Sequence, residues 1–181
     1  GQVAKLTASD AAAGDIFGFD VAIDGATIVI GARGKDSTTG SAYVFRTTDG
    51  GATYGQVAKL IASDASSGDD FGLSVAIGGS TVVVGAYCDD DAGSNSGSAY
   101  VFRTTDGGAT YVEVAKMAAS DAAASDEFGR SVAIDGDTAV IYGGGSVYIF
   151  RTTDGGGTWS QVAKLVASDG VSIGPSNLVA V

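Results

Sequence analysis

The sequence contains no histidine, one cysteine and one proline. The absence of histidine excludes Ser-His-Asp and Cys-His catalysis and any histidine-ligated metal site. A single cysteine, Cys88, excludes an internal disulfide; the alternatives are a half-buried side chain, an intermolecular bridge or a reactive thiol. No apolar run reaches the roughly 18 residues that a membrane-spanning helix needs, so we expect no membrane insertion.

Charged residues are few and mostly acidic. Asp and Glu number 21 against 10 Lys and Arg, which gives a net charge of −11. Almost all of the acid is aspartate, because glutamate occurs only at Glu113 and Glu127. An acidic surface repels phosphate backbones and anionic lipid, so nucleic acid and membrane surfaces are not expected partners. Cations are the small partners that this charge favours.

Glycine is abundant, with 29 residues, and the chain repeats itself. The pattern Gln/Glu-Val-Ala-Lys begins at Gln2, Gln56, Glu113 and Gln161. A period of roughly 50 residues without helical periodicity fits four short strands and their turns, which make one blade of a β-propeller.

Alternation of apolar and polar residues predicts four strands, a to d, in each unit. Strand a is predicted at Phe17–Ile23, Phe71–Ile77 and Phe128–Ile134, b at Thr27–Ala32, Thr81–Ala86 and Thr138–Tyr142, c at Ser41–Arg46, Ser98–Arg103 and Ser146–Arg151, and d at Gln2–Ala8, Gln56–Ala62, Glu113–Ala119 and Gln161–Ala167. The central lysine of strand d is a known device for blunting an exposed edge strand. Two-residue turns such as Asp24-Gly25 make strands a and b antiparallel neighbours.

The predicted fold is therefore all-β, with β-propeller-type four-stranded antiparallel blades: three full repeats plus a loose strand at each end. The blades span residues 17–62, 71–119 and 128–167. Residues 2–8 are predicted as strand d of a preceding blade, and residues 173–181 as the degraded start of a fourth. Loose strands are prone to aggregation unless they pair, so we expect further blades of a longer chain or other copies of this chain to pair with them.

Two resemblances follow from these motifs. The c–d connections, Thr47–Tyr54, Thr104–Tyr111 and Thr152–Trp159, resemble the Asp-box of sialidases and other propellers, a structural hairpin in which aspartate binds backbone N–H groups. The remainder of the unit resembles the FG-GAP repeat of integrin-α-type propellers. That resemblance is carried by Phe17-Gly18, Phe71-Gly72 and Phe128-Gly129, by the Val-Ala-Ile that follows, and by Gly31-Ala32 and Gly85-Ala86. It implies a propeller that serves adhesion or ligand binding outside the cell.

Calcium is the one cofactor that the sequence suggests. The a–b turn, which carries the calcium loop in integrin-type repeats, is too short here to surround an ion. The b–c loop of the second unit instead offers Asp89, Asp91 and Asn95, with Gly93 permitting a bend; the alternative is a solvated acidic loop. Aspartates five residues apart also recur before each Phe-Gly, at Asp10 and Asp15, Asp64 and Asp69, and Asp121 and Asp126. Their regular spacing predicts a structural role in which the side chains accept hydrogen bonds from loop N–H groups; the alternative is metal binding.

We therefore expect a non-catalytic structural or adhesive propeller segment, extracellular or at the cell surface, that contacts proteins or glycans through its loops. The alternatives are a sialidase-like glycan hydrolase, or a purely architectural stalk or filament subunit. A hydrolase requires arginines and carboxylates that converge in one pocket. The strand c arginines, Arg46, Arg103 and Arg151, are instead expected at equivalent places in successive blades, covering a sheet edge or pairing with a loop aspartate.

Overall fold

The computed structural model describes residues 1–168, which fold into three four-stranded antiparallel sheets. Blade 1 contains β1 (Phe17–Asp24), β2 (Thr27–Ala32), β3 (Ser41–Arg46) and β4 (Gly55–Leu60). Blade 2 contains β5 (Ser74–Gly78), β6 (Thr81–Ala86), β7 (Ser98–Arg103) and β8 (Val112–Met117). Blade 3 contains β9 (Ser131–Asp135), β10 (Thr138–Gly143), β11 (Ser146–Arg151) and β12 (Ser160–Leu165). Each blade pairs its strands in chain order, which confirms the predicted all-β architecture. The strand predicted within residues 173–181 lies outside the described residues.

The blades stack face to face, with their first strands side by side. Neighbouring blades contribute unlike surfaces, because alternate residues of a strand point to opposite faces. Between blades 1 and 2, the small residues Val29, Ala42 and Val44 of blade 1 lie in one core with the rings of Tyr100 and Phe102. Blades 2 and 3 repeat this arrangement. A small-residue face against a bulky face lets the sheets approach closely and buries the apolar surface that stabilises the stack.

The first strands of blades 2 and 3 are shorter than predicted. They begin at Ser74 and Ser131, so the predicted strand starts at Phe71 and Phe128 are wrong. The reason is that Phe71 and Phe128 pair with the b–c loop of the preceding blade, at Gly40 and Gly97, instead of with the second strand of their own blade. Gly72, whose φ of 88° is left-handed, turns the chain at this point, whereas Gly18 has the same conformation within a bulge of β1. The two phenylalanine rings are fully buried, and each packs edge-on against a tyrosine and a phenylalanine of its own blade. The Phe-Gly pair is therefore a turn that places a ring in the core.

The glycines of the Phe-Gly and Gly-Ala motifs meet across the blades. Gly72 donates its N–H to the Gly85 carbonyl of the same blade at 3.0 Å, while its own carbonyl lies against Gly31 of blade 1. A Cβ atom at Gly31 would lie less than 3.0 Å from that backbone oxygen. The Gly129 carbonyl approaches Gly85 in the same way. Close approach of successive blades thus requires glycine at these positions.

Residues 2–8 do not form the predicted β-strand. A strand requires a paired neighbour, and the described part of the chain supplies none for this segment. The segment nevertheless covers blade 1 in the way that the end of β4 covers blade 2. Leu6 and Ala8 pack on the core of blade 1, and Leu60 and Ala62 occupy the corresponding places on blade 2.

The connections lie at two ends of the stack. The loop end carries the b–c loops, between the second and third strands of a blade, and the d–a loops, which lead into each blade. These loops pair: the Asp70 N–H donates to the Thr38 carbonyl at 2.8 Å, for example. The first b–c loop contains one short helical turn, α1 (Lys35–Thr38), in which Asp36 and Ser37 have positive φ. Within residues 1–168, no helix is long and apolar enough to cross a membrane.

The turn end carries the two-residue a–b turns and the longer c–d turns. In the first c–d turn, Asp49 accepts the N–H of Thr53 at 2.9 Å and the hydroxyls of Thr53 and Thr47. These contacts hold the pKa of Asp49 well below its usual range. Gly50 and Gly51 have positive φ, as the turn requires. The other two c–d turns repeat this network around Asp106 and Asp154.

Candidate functional site

An Asp–Tyr–Lys cluster stands at the loop end of every blade. In blade 1, Asp10 accepts the hydroxyl of Tyr43 at 2.7 Å and the ammonium of Lys59 at 2.8 Å. The same contacts recur at Asp64, Tyr100 and Lys116 in blade 2. In blade 3, Lys164 donates to Asp121 at 2.6 Å and lies over the ring of Tyr148. The aspartate comes from the d–a loop, the tyrosine from the third strand and the lysine from the fourth. The central lysine therefore does more than blunt an edge: it ties the d–a loop to the outer strands.

The second aspartate of each predicted pair holds the loop itself. Asp15 accepts the backbone N–H of Ala12 at 2.7 Å, and Asp69 and Asp126 make the same contact in the other d–a loops. The structural role predicted from the five-residue spacing is confirmed at these three positions.

Blade 2 adds two carboxylates to its cluster. Oxygens of Asp64, Asp89 and Asp91 all lie within 4.8 Å of one another. Lys116 Nζ meets the three of them, at 2.6 Å, 3.0 Å and 2.5 Å respectively. Asp89 is buried and also accepts the hydroxyl of Tyr100 at 2.7 Å. One ammonium thus holds a d–a loop, a b–c loop and the fourth strand together.

Two of the three predicted calcium ligands, Asp89 and Asp91, belong to this group. The third, Asn95, is held by its main chain: its N–H donates to Asp90 at 2.6 Å, and its carbonyl accepts the N–H of Glu127. The carboxylate group also includes Asp64, which the sequence placed in the repeated aspartate pairs, where metal binding was the alternative to a structural role.

The donor set suits calcium only in part. Three carboxylates are hard oxygen ligands of the kind that calcium prefers. However, the Lys116 ammonium is already in contact with all three, and an ion bound between them would have to displace it. Calcium binding at Asp89, Asp91 and Asn95 stays a prediction.

Blade 1 has the opposite charge at the position of Asp89. Lys35 is the third residue after its strand, as Asp89 is in blade 2, and both are buried. Lys35 Nζ donates to the Asp10 carbonyl at 2.7 Å and to the Asp15 carboxylate at 3.1 Å. In blade 3 the b–c loop is only Gly144 and Gly145. Sequence reasoning missed Lys35 because loops of such different lengths give no alignment.

The loop aspartates of blades 1 and 2 have opposite pKa shifts. The Ala12 N–H and the Lys35 ammonium lower the pKa of Asp15. Burial and the nearby Asp89 carboxylate raise the pKa of Asp69, its counterpart in blade 2. Hydrogen bonds from Lys59 and Tyr43 lower the pKa of Asp10 to about 2.

The arginines of the third strands lie one to a blade, at the turn end. Arg46 packs against Gly108 in the c–d turn of blade 2, and Arg103 packs against Gly156 in that of blade 3. Each therefore covers the turn of the next blade. Arg151 holds the same position in blade 3.

The two remaining arginines pair locally. Arg33 binds Asp70 at 2.8 Å, and Arg130 binds Glu127. An open groove of about 560 Å³ lies at the turn end. Arg103 is the arginine that lines it, together with Asp24, Asp135 and Asp137.

Comparison with known proteins agrees with this architecture. A protein-family model described as FG-GAP repeat matches residues 1–45, 54–102 and 111–150, more than half of the chain. No curated protein matches. Among solved structures, the crystal structure of Saccharomyces cerevisiae Sqt1 is similar, with a TM-score of 0.53 and 13% identity over 86% of this chain. The match spans 37% of that chain, and at this identity the similarity concerns the fold alone.

Proposed function

This chain belongs to the FG-GAP repeat family, and from that premise we propose that it is a non-catalytic structural or adhesive segment of an extracellular β-propeller. Its loop end contacts proteins or glycans, and its blades belong to a larger protein or assembly. FG-GAP repeats are typical of extracellular proteins, which supports this location.

The observation that carries the proposal is the contrast between the repeated blades, which are alike, and their b–c loops, which are not. The Asp–Tyr–Lys cluster is repeated in all three blades, whereas the b–c loops above it differ in length: Arg33–Gly40, Tyr87–Gly97 and Gly144–Gly145. Variable loops on a rigid, repeated scaffold are a common arrangement for recognition. The second loop is the longest of the three. It exposes Asp90, Asp91 and Ser94, whose oxygens suit a hydroxyl-rich glycan or a basic protein surface.

Membership of a larger propeller is supported by the outer face of blade 1. Val21 is 61% exposed there, whereas the equivalent Val75 and Val132, each covered by the preceding blade, are 5% exposed. Ile23 shares that outer face and is also exposed. An apolar face that matches two internal interfaces residue for residue is suited to a further blade of the same repeat.

The hydrolase alternative is less well supported. A sialidase-like site gathers several arginines around a substrate carboxylate, whereas Arg46 and Arg103 lie on successive blades and each covers a glycine turn. The groove at the turn end has one arginine among the described residues that line it.

A glycan array and a panel of purified extracellular proteins would test the proposal. Ala92→Lys/Ser94→Lys adds two positive charges to the acidic second b–c loop and leaves the residues of the Asp–Tyr–Lys cluster unchanged. It should weaken binding at least tenfold. The matched control, Ala52→Lys/Ala109→Lys, adds the same two charges at exposed positions of the turn end and should leave binding unchanged. Binding that responds equally to both variants would reject the loop end as the recognition surface, and cleavage of sialylated glycans by the unmodified chain would favour the hydrolase.

A further inference from the structure

In blade 3, Tyr142 stands where blades 1 and 2 have glycine. The Tyr142 carbonyl accepts the Gly129 N–H at 3.1 Å, just as the Gly85 carbonyl accepts the Gly72 N–H in blade 2. Strand register places Gly31 at the same position in blade 1. The three residues are therefore structurally equivalent.

This position is where the next blade comes closest. The Gly72 carbonyl of blade 2 lies on Gly31, and the Gly129 carbonyl of blade 3 lies on Gly85. A Cβ atom at either glycine would come within 3.0 Å of a backbone oxygen, a contact that real Cβ atoms do not make. Because the backbone fixes the Cβ position, no choice of rotamer relieves the clash.

The Tyr142 side chain points away from blade 2. Its neighbour Ile141 is fully buried in the core shared with blade 2, and successive side chains of a strand alternate between faces. The Tyr142 Cβ therefore projects on the face where a following blade would pack.

We propose that Tyr142 ends the stack: the outer face of blade 3 rejects a further Phe-Gly blade, while the outer face of blade 1 accepts one. Gly18 has φ 87°, which matches the 88° and 89° of Gly72 and Gly129. Its carbonyl is therefore oriented to approach a glycine of a preceding blade. The partner that fits blade 1 is an FG-GAP blade with glycine at the position of Gly31. Blade 3 of a second copy does not meet that requirement, so head-to-tail stacking of this chain is excluded.

The outer edge of blade 3 keeps the apolar side chain of a packing face, so lack of apolar surface is not what would keep a further blade away. Leu165 is 53% exposed, whereas its counterparts Leu60 and Met117, which lie under the next blade, are each 2% exposed. The apolar residue of a packing face is thus retained in blade 3, and the glycine is the feature that differs.

The test is to offer blade 3 a following blade. Residues 64–119, which contain blade 2 and its d–a loop, are attached after Ser168 in place of the natural continuation, because Ser63 and Ser168 hold the same position in the repeat. Three forms are compared: Tyr142 unchanged, Tyr142→Gly and Tyr142→Ala. The measurement is limited proteolysis, with the mass of the resistant core read by mass spectrometry.

With Tyr142→Gly, we expect the added blade to dock and to be cleaved at least tenfold more slowly. With Tyr142 or Tyr142→Ala, the resistant core should end near Ser168, because alanine retains the obstructing Cβ. Equal protection in all three forms would overturn the proposal, and so would continued cleavage in Tyr142→Gly when the three natural blades remain resistant.

A second variant keeps the proposal testable if Tyr142→Gly does not fold. In the natural chain, Gly85→Ala places a Cβ against the Gly129 carbonyl and should expose blade 3 to proteolysis at least tenfold faster. The matched control is Gly78→Ala, whose Cβ would meet only Ile134 at 3.3 Å and should be tolerated. A Gly85→Ala chain as resistant as this control would show that a Cβ does not block the approach of a blade.

Discussion

Blades 1 and 2 hold equivalent loops with opposite charges at one buried position. In blade 1 that position is Lys35, and a second lysine, Lys59, shares the surrounding carboxylates. In blade 2 it is Asp89, and Lys116 meets three carboxylates. The two blades therefore make similar contacts but differ in how many lysines make them. Blade 2 depends on one ammonium, and blade 1 divides the same role between two.

Removal of the fourth-strand lysine should give the largest difference between the two blades. Lys116→Met leaves the buried Asp89 without its ammonium beside two further carboxylates, so we expect a loss of about 3 kcal/mol in the free energy of unfolding. Lys59→Met should cost about 1 kcal/mol, because Asp10 is partly exposed and Lys35 remains beside it. Urea denaturation of both variants measures the difference. Equal losses would show that the two clusters contribute alike.

The tyrosines should show the same order with smaller effects. The Tyr100 hydroxyl oxygen lies 2.7 Å from a carboxylate oxygen of Asp64 and from one of the buried Asp89, which share its single proton, so Tyr100→Phe removes a donor from a buried acceptor. We expect a loss of about 2 kcal/mol. Tyr43→Phe should cost about 1 kcal/mol, because water can replace the hydroxyl at the partly exposed Asp10. Thermal unfolding compares the pair, and a larger loss in blade 1 would contradict the assignment.

Much of the blade architecture could be predicted from the sequence, because alternation and repeat spacing are local properties. Strands b and c of all three blades, the hairpin turns and the role of Asp15 were predictable in this way. The contact between Lys116 and Asp64 was not, since it joins residues 52 apart whose meeting depends on how a d–a loop folds back. The strand start at Ser74 was missed because the alternation continues through Gly72, whereas Phe71 pairs with a loop of the preceding blade.

Calcium should stabilise the lysine variants of the two blades to different extents, and this effect is smaller than the losses above. In Lys116→Met the three carboxylates of blade 2 lose their ammonium, so calcium at ten times its dissociation constant should restore about 1.4 kcal/mol of stability. Lys59→Met should show no such gain, because Lys35 stays within the cluster of blade 1. Melting temperatures with calcium and with a chelator measure the response. An equal response in both variants would place any calcium effect outside the carboxylate group.

The loop aspartates should make opposite contributions to the pH dependence of stability. The lowered pKa of Asp15 means that its contribution is present above pH 3.8, its ordinary value, and is lost as the pH falls through the folded pKa. The raised pKa of Asp69 means that its contribution is complete below pH 3.8 and is lost as the pH rises through the folded pKa.

Neutralisation of Asp89 should reduce the difference in pKa between Asp15 and Asp69 and leave the blades folded. Asp89→Asn keeps an acceptor for the Tyr100 hydroxyl but removes one negative charge near Asp69, so the pKa of Asp69 should fall while that of Asp15 stays the same. Carboxyl-detected NMR titration of both aspartates measures the two shifts, and Asp24→Asn at the turn end serves as the control. If Asp69 titrated below pH 3.8 in the unmodified chain, the buried Asp89 would not be the charge that distinguishes blade 2. If instead its pKa were raised and did not respond to Asp89→Asn, burial alone would account for it, and the charge exchange with Lys35 would matter for packing rather than for titration.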